Sequence, residues 1–365
     1  MRTLTFKLSH YLMRQYLFNF LGLMLLLLGV ILLFDTIELI RRSSQYQLSF
    51  GLVIQMAFLK LPEVGQQLLP FGILFSAMYT FWKMTRNNEL IVIRATGFSI
   101  WQFLTPVLFC GLVIGVVSTT VINPLSAVFL KKFEQMEITH LRKTDALLNI
   151  SKNGIWFKQD TEQGYSLLRA AQFNPETWRL RDVIIFHFDH NNIPQQRIDA
   201  SYATLEDGFW QLNQVTYFET EQTDSLPYKT YKVETKITSN DIEDSFADPQ
   251  TMSFWEIPNF IDTLEATGFP ATRMKVHFQS LLAQPLLFLA MILLASAVSL
   301  RPSRFGGTIY FITLGVLIGF LIFFIENFLY AFGISQKIPV FMAAWSPAII
   351  SFLLGITFLL YLEDG

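Results

Sequence analysis

Six long apolar stretches, three on each side of a polar segment, constrain this chain more than any motif in it. They run near Phe18–Ile40, Ile54–Trp82, Phe98–Ile122, Val276–Leu300, Gly307–Phe332 and Pro339–Leu362. A helix needs about 20 apolar residues to cross a hydrocarbon core, and each stretch is long enough. The segment between the third and fourth stretches is therefore held in lipid at both ends. Composition agrees, with 52% of the 365 residues hydrophobic and 15% charged, against about 25% charged in soluble domains. Three domains are expected: transmembrane helices over residues 1–123, a polar domain with helical flanks over 124–275, and transmembrane helices over 276–365.

The insert carries its own pattern. After Asn123-Pro124, residues Leu125–Leu148 are mixed in charge and predict a helical extension. From Gly154 the chain turns to short runs rich in aromatic and β-branched residues: Gly154–Lys158, Tyr165–Arg169, Val183–Phe188, Ile198–Leu205, Trp210–Phe218 and Tyr228–Ile237. Turn-forming clusters separate them, which predicts an antiparallel β sandwich or jelly roll. Asp248–Phe269 is expected to be helical again.

Charge gives an orientation. Arg2, Lys7, Arg14, Lys83, Arg86, Arg94, Arg301 and Arg304 lie on one side of the spans; Arg41, Arg42, Lys60 and Lys337 lie on the other. The richer side is cytoplasmic by the positive-inside rule, so both termini are expected inside and the polar domain outside. The first apolar run is longer than a signal-peptide core and continues to Asp35 and Glu38, so it is expected to stay in the mature chain.

Enzyme signatures are missing. There is no G-x-x-x-x-G-K-[ST] loop, no G-x-S-x-G elbow and no H-E-x-x-H. Cys110 is the lone cysteine and the five histidines are scattered, so neither a metal site nor a cofactor is expected on this chain. A net charge of −2 gives no reason to expect nucleic acid.

Three features carry more. Between the second and third stretches, Asn87-Asn88-Glu89-Leu-Ile-Val-Ile-Arg94-Ala95-Thr96-Gly97 has a capping amide, an acid in the first turn, a base in the last and a closing glycine. It predicts a short helix near 88–97 with Leu90, Ile91 and Ile93 available for contact, either as an interfacial helix or as a dock for a soluble motor. Glu326-Asn327 sits inside the fifth stretch, where a carboxyl either marks a ligand or proton site or holds helices together. Arg41 and Arg42 end the first stretch, with Lys60, Lys131 and Lys132 expected at similar depth. They either snorkel to headgroups or grip phosphate on an amphipathic substrate.

The three-plus-three layout, the Asn88–Gly97 segment, Gly154-Ile-Trp-Phe-Lys, Arg273-Met-Lys-Val-His-Phe, Pro285, Arg301-Pro-Ser-Arg-Phe-Gly-Gly, Glu326-Asn327 and Ala343-Ala-Trp-Ser-Pro347 together resemble the LptF/LptG permease family of lipopolysaccharide export, with a lean towards its LptG branch. The resemblance spans nearly the whole length. It implies the non-catalytic permease subunit of an ATP-binding-cassette exporter in the bacterial inner membrane, with a periplasmic β-jelly-roll insert between helices 3 and 4. Its partners would be an LptF-type permease, an LptB-type ATPase dimer that holds the ATP and Mg, and an LptC-type single-span protein leading to a periplasmic bridge. By the same resemblance Glu89, Arg94, Ala95 and Gly97 form the coupling helix, and Arg41, Arg42 and Lys131 meet lipopolysaccharide. Asp35, Glu63 and Glu134 depart from the basic residues of better-known relatives, which implies a different charge balance around the glycolipid. Two other classes fit parts of the pattern. A lipoprotein-releasing or other cassette permease would have four spans, and a membrane-anchored structural or sensory β-domain would need no coupling helix.

Overall fold

A computed structural model describes residues 2–43, 49–95, 97, 99–140, 146–151, 154–161, 164–174, 177, 179–190, 193–206, 208–219, 226–235, 248–300 and 308–363. Arg301, Arg304 and Thr96 lie outside the described residues. The chain forms two compact units. One comprises Met1–Glu137, Gln250–Trp255 and Thr272–Gly365; the other comprises Ile138–Pro249 and Glu256–Ala271.

The first unit is helical. Its described elements are α1 (Arg2–Ser43), α2 (Phe50–Arg86), α3 (Glu89–Ala95), α4 (Ile100–Val117), a π-helical turn (Ser118–Ile122), the greater part of α5 (Asn123–His140), α7 (Thr272–Ser299), α8 (Thr308–Ile334) and α9 (Val340–Glu363). Five stretches among the described residues are long and apolar enough to cross a membrane: Lys7–Arg42, Ile100–His140, Thr272–Ser299, Thr313–Ile334 and Val340–Tyr361. The expected second span falls in α2, where Lys60, Glu63, Gln66 and Gln67 interrupt the apolar run.

Two local expectations concern the long helices. The interruption at Pro62, Glu63, Gly65, Gln66 and Gln67 predicts an interfacial approach followed by a bent crossing, and α2 is one continuous helix through Pro62 and Pro70. Pro62 and Pro70 have no N–H to give the helix, and Ser49 caps the start by accepting from the Leu52 N–H at 3.4 Å. The second lies at Asn123-Pro124. The π turn lets the third span run on into α5, adding residues without ending the helix. The helix ends at His140 rather than Leu148, and Ala146–Ser151 form a strand. Leu147 and Leu148 have helical propensity, but pairing with Lys158 and Phe157 overrides it.

The helices pack by spacing and by small residues. Leu12, Tyr16, Phe20 and Met24 recur every fourth position on α1 and are all buried. Their stripe meets α2, where Gly72 leaves no room for a Cβ beside the Met24 sulfur. Asn19 Nδ2 donates to Thr80 Oγ1 at 2.8 Å across the same contact. On α4, a Cβ at Gly115 would lie 2.6 Å from the Pro285 Cα of α7. That close approach fixes the α4–α7 crossing.

The second unit is a sheet with one covering helix. Its strands are β1 (Ala146–Ser151), β2 (Gly154–Thr161), β3 (Gly164–Ala170), β4 (Gln172–Asn174), β5 (Arg179–Asp189), β6 (Pro194–Glu206), β7 (Phe209–Glu219) and β8 (Leu226–Glu234). Every pairing is antiparallel, in the order β1-β2-β3-β5-β6-β7-β8, with β4 also beside β5. The six predicted runs fall in β2, β3, β5, β6, β7 and β8. β1 and β4 are additional. Among the described strands the order is an up-and-down meander, simpler than the double Greek key of a jelly roll. Alternation places Ile155, Phe157, Leu168, Ile185, Ile198, Trp210 and Leu212 in the core. Helix α6 (Ile257–Thr267) ends at Gly268, whose φ of 83° and contact with the Phe173 carbonyl oxygen both exclude a side chain. Phe269 then stacks on Phe173 with ring centroids 4.7 Å apart.

Candidate functional site

The first site is the short helix between two long ones. Asn87 closes α2 by donating its N–H to the Lys83 carbonyl at 3.0 Å. Asn88 then takes a φ of 60°, a left-handed turn that an asparagine tolerates. Helix α3 follows at once. Glu89 is held at both oxygens: Tyr11 of α1 donates its hydroxyl to Oε2 at 3.1 Å, and Asn87 Nδ2 donates to Oε1 at 3.3 Å. Leu90 is buried and Ile93 packs against the core of the unit. Ile91 and Val92 are each 64% exposed. The exposed apolar face is therefore Ile91-Val92, not the predicted Leu90, Ile91 and Ile93, because α3 spends Leu90 and Ile93 on holding itself to the long helices. Ala95 is exposed at the helix end and Gly97 turns the chain with a φ of 82°. Arg94 lies in α3, with its side chain outside the described residues. Tyr11 is the residue that sequence reasoning missed.

The second site is a charged rim. Arg41 directs Nε and Nη2 at the two oxygens of Glu38, each at 2.9 Å, and Arg42 Nε donates to the same carboxylate at 2.9 Å. Glu three and four residues before an arginine is the favourable order on a helix. Arg42 also reaches Glu137 of α5 at 3.8 Å, and Lys60 of α2 reaches Asp35 of α1 at 3.8 Å. The rim thus joins three helices through opposite charges. Lys131 and Lys132 are exposed on α5. The spacing of Glu38 to Arg41 and Arg42 is legible in the sequence; the reach to Glu137 is not.

The third site is a cavity of about 310 Å³ among α2, α5, α7 and α8. Glu326 and Asn327 line it from α8, and Glu63 and Gln67 line it from α2. Gln67 Nε2 donates to Glu63 Oε1. Gln284 of α7 faces it too, accepting from the Ser118 hydroxyl at 3.4 Å. Asn327 Nδ2 turns back to the Phe323 carbonyl at 2.8 Å. Glu326 shares the cavity with Glu63, while the amide of Asn327 satisfies its own helix. No linear pattern announces that Glu63 and Glu326 share one cavity.

Comparison with known proteins adds to this geometry. Residues 10–361 match the family model described as lipopolysaccharide export system permease LptF/LptG. A lipopolysaccharide export system permease protein LptG of Haemophilus influenzae is 23% identical over 299 residues, covering 80% of this chain and 81% of that protein. The protein of the same name from Escherichia coli is 23% identical over 345 residues, covering 91% of each chain.

Proposed function

The chain belongs to the LptF/LptG family of lipopolysaccharide export permeases, and from that premise we propose that it is the LptG-like permease subunit that moves lipopolysaccharide out of the inner membrane. Its helices span the inner membrane with both termini in the cytoplasm, and α2 is the sixth crossing despite its polar residues. The sheet unit lies in the periplasm and receives the acyl chains on its antiparallel meander. A second permease of the LptF type completes the membrane core. An LptB-type ATPase dimer supplies the energy with its own ATP and Mg, and an LptC-type protein leads to the periplasmic bridge. This chain carries no cofactor.

One observation carries the coupling part of that reading: α3 hangs between two long helices with Ile91 and Val92 outward and its acid anchored to α1. Extraction of acyl chains costs about 0.8 kcal/mol per CH₂, so a motor must push somewhere. A short rigid helix bonded to Tyr11 passes a push on α3 directly into α1. Arg94, Ala95 and Gly97 complete the docking segment. At the outer end, Arg41, Arg42 and Lys131 meet the glycolipid, the two arginines exchanging Glu38 for the incoming anion.

The test replaces Glu89 by Lys. The variant should insert and copurify with its partner permease while lipopolysaccharide-stimulated ATP hydrolysis falls by about tenfold or more, roughly 1.4 kcal/mol of coupling. Undiminished stimulated hydrolysis and export in that variant would end the coupling role of α3.

A further inference from the structure

The cavity among α2, α5, α7 and α8 has a chemistry of its own. Phosphate recognition calls for arginine or lysine, as forks or point charges. Neither residue lines this cavity. Its charged groups are instead the carboxyls of Glu63 and Glu326, beside the imidazole of His277, and the remaining polar lining is carboxamides and hydroxyls. Glu63 is 9% exposed, and Glu326 lies inside the Thr313–Ile334 span. Carboxyls at such depth are costly in a bilayer; Gln67 already donates to Glu63, and a carboxylate has room to accept further donors.

The rest of the wall is aromatic and apolar. Phe71 of α2 and Phe323 of α8 face each other with ring centroids 5.7 Å apart, and Tyr330 lines the cavity further along α8. Aromatic faces beside carboxyls attract a cation twice over, through the ring quadrupole and through charge. The volume of about 310 Å³ reaches the range of small-ligand sites and exceeds by far the roughly 30 Å³ that one water occupies. A relay of single protons needs no such room.

We propose that this cavity binds the primary ammonium group of an amphipathic lipid, with Glu63 and Glu326 accepting its N–H donors and Phe71, Phe323 and Tyr330 bounding its apolar stem. The ammonium comes either from an amine-bearing sugar of the exported glycolipid or from a phosphatidylethanolamine headgroup. The permease reading enters only as the reason that lipid reaches the cavity. A quaternary ammonium has no N–H to donate and fits worse.

The purified permease complex in phosphatidylcholine nanodiscs tests it, with dodecylammonium and dodecyl phosphate competing against a spin-labelled alkylammonium. Dodecylammonium should displace the label, and Glu63→Gln with Glu326→Gln should weaken that displacement by about tenfold or more. Glu326→Asp should keep most of it, which separates lost recognition from lost folding. Glu63→Lys should turn the preference towards dodecyl phosphate. Tighter binding of dodecyl phosphate by the unaltered complex, or displacement unchanged in the double variant, would overturn the proposal. Native mass spectrometry of complexes from cells identifies the source: a retained amine-bearing glycolipid or a retained phosphatidylethanolamine each supports it, and purely anionic lipid at equal occupancy in both forms refutes it. Export that persists without ammonium preference fails this inference alone. Ammonium preference without lipopolysaccharide export fails the permease reading alone.

Discussion

Helices α7 and α1 are both apolar enough to cross a bilayer, yet they serve the chain in opposite ways. Within the chain 67% of the α7 span is buried, against 11% of the α1 span and 17% of the α8 span. Apolarity therefore says only that a helix tolerates lipid; its neighbours decide whether it is a hub or a rim. In lipid no hydrophobic drive pulls apolar helices together, so close packing rests on small residues and van der Waals contact. The glycines differ in what a Cβ would meet: at Gly72 of α2, facing α1, it would meet the flexible end of Met24. Those facing α7 have no room for a Cβ: at Gly115 it would meet Pro285, and at Gly355 it would lie 2.7 Å from the Leu293 Cβ. On α1, Gly22 and Gly29 have nothing within 4 Å. The outward faces of α1 and α8, with Phe18, Leu25, Phe34, Phe320 and Phe324 exposed, suit lipid and, on the proposed function, the partner permease.

The largest test of this contrast is Gly115→Leu against Gly29→Leu. At Gly115 the obstacle is backbone, the Pro285 Cα, which cannot swing aside. Overpacking there should cost about 3 kcal/mol or more and remove folded protein from the membrane. Gly29→Leu should leave thermal stability in detergent within about 0.5 kcal/mol of the parent. Equal melting temperatures for the two variants would break the hub-and-rim distinction. Phe288→Ala against Phe324→Ala is the milder version. Phe288 is fully buried on α7 and Phe324 is 57% exposed on α8. Because the interior and lipid are similarly apolar, truncating Phe288 loses mainly packing, about 1–3 kcal/mol. Phe324→Ala should change the melting temperature little while weakening copurification of the partner permease. The reverse ranking would place the hub on the wrong helix.

Tyr11→Phe comes next in size. It removes the hydroxyl that donates to Glu89 and keeps the ring, so about 1 kcal/mol of tethering is lost between α1 and α3. Stimulated ATP hydrolysis should fall a few-fold, less than in Glu89→Lys, with basal hydrolysis unchanged. An effect as large as the charge reversal would mean that the tether, not the docking face, limits coupling.

Much of this arrangement is legible in the sequence, for identifiable reasons. Long apolar runs report α1, α4, α7, α8 and α9, because a span of lipid demands length whatever the neighbours are. Alternating β-branched and aromatic residues report six strands. The misses share a cause. β1 is strand because β2 lies beside it, although Leu147 and Leu148 carry no strand signal of their own. In α3, seven residues are too few for periodicity to say which side faces out, so Leu90 and Ile93 turn inward against expectation and Val92 faces out. The Glu63–Glu326 cavity is invisible for the plainest reason: it is made by two helices far apart in the chain.

The smallest test probes a direct side-chain hydrogen bond between α1 and the middle of α2. Asn19→Ala deletes the 2.8 Å donation to Thr80 Oγ1. Thr80 would not be orphaned, because its hydroxyl donates to the Ser76 carbonyl at 2.7 Å. The loss is then that of a single intramembrane bond, about 0.6 kcal/mol. Such bonds contribute little because the separated helices find other partners. A fall in melting temperature near the limit of measurement is expected, together with freer cysteine crosslinking between the outer ends of α1 and α2. A loss comparable to that at Gly115 would instead make α1 part of the hub, its exposed face notwithstanding, and the packing of small residues would no longer distinguish the two helices.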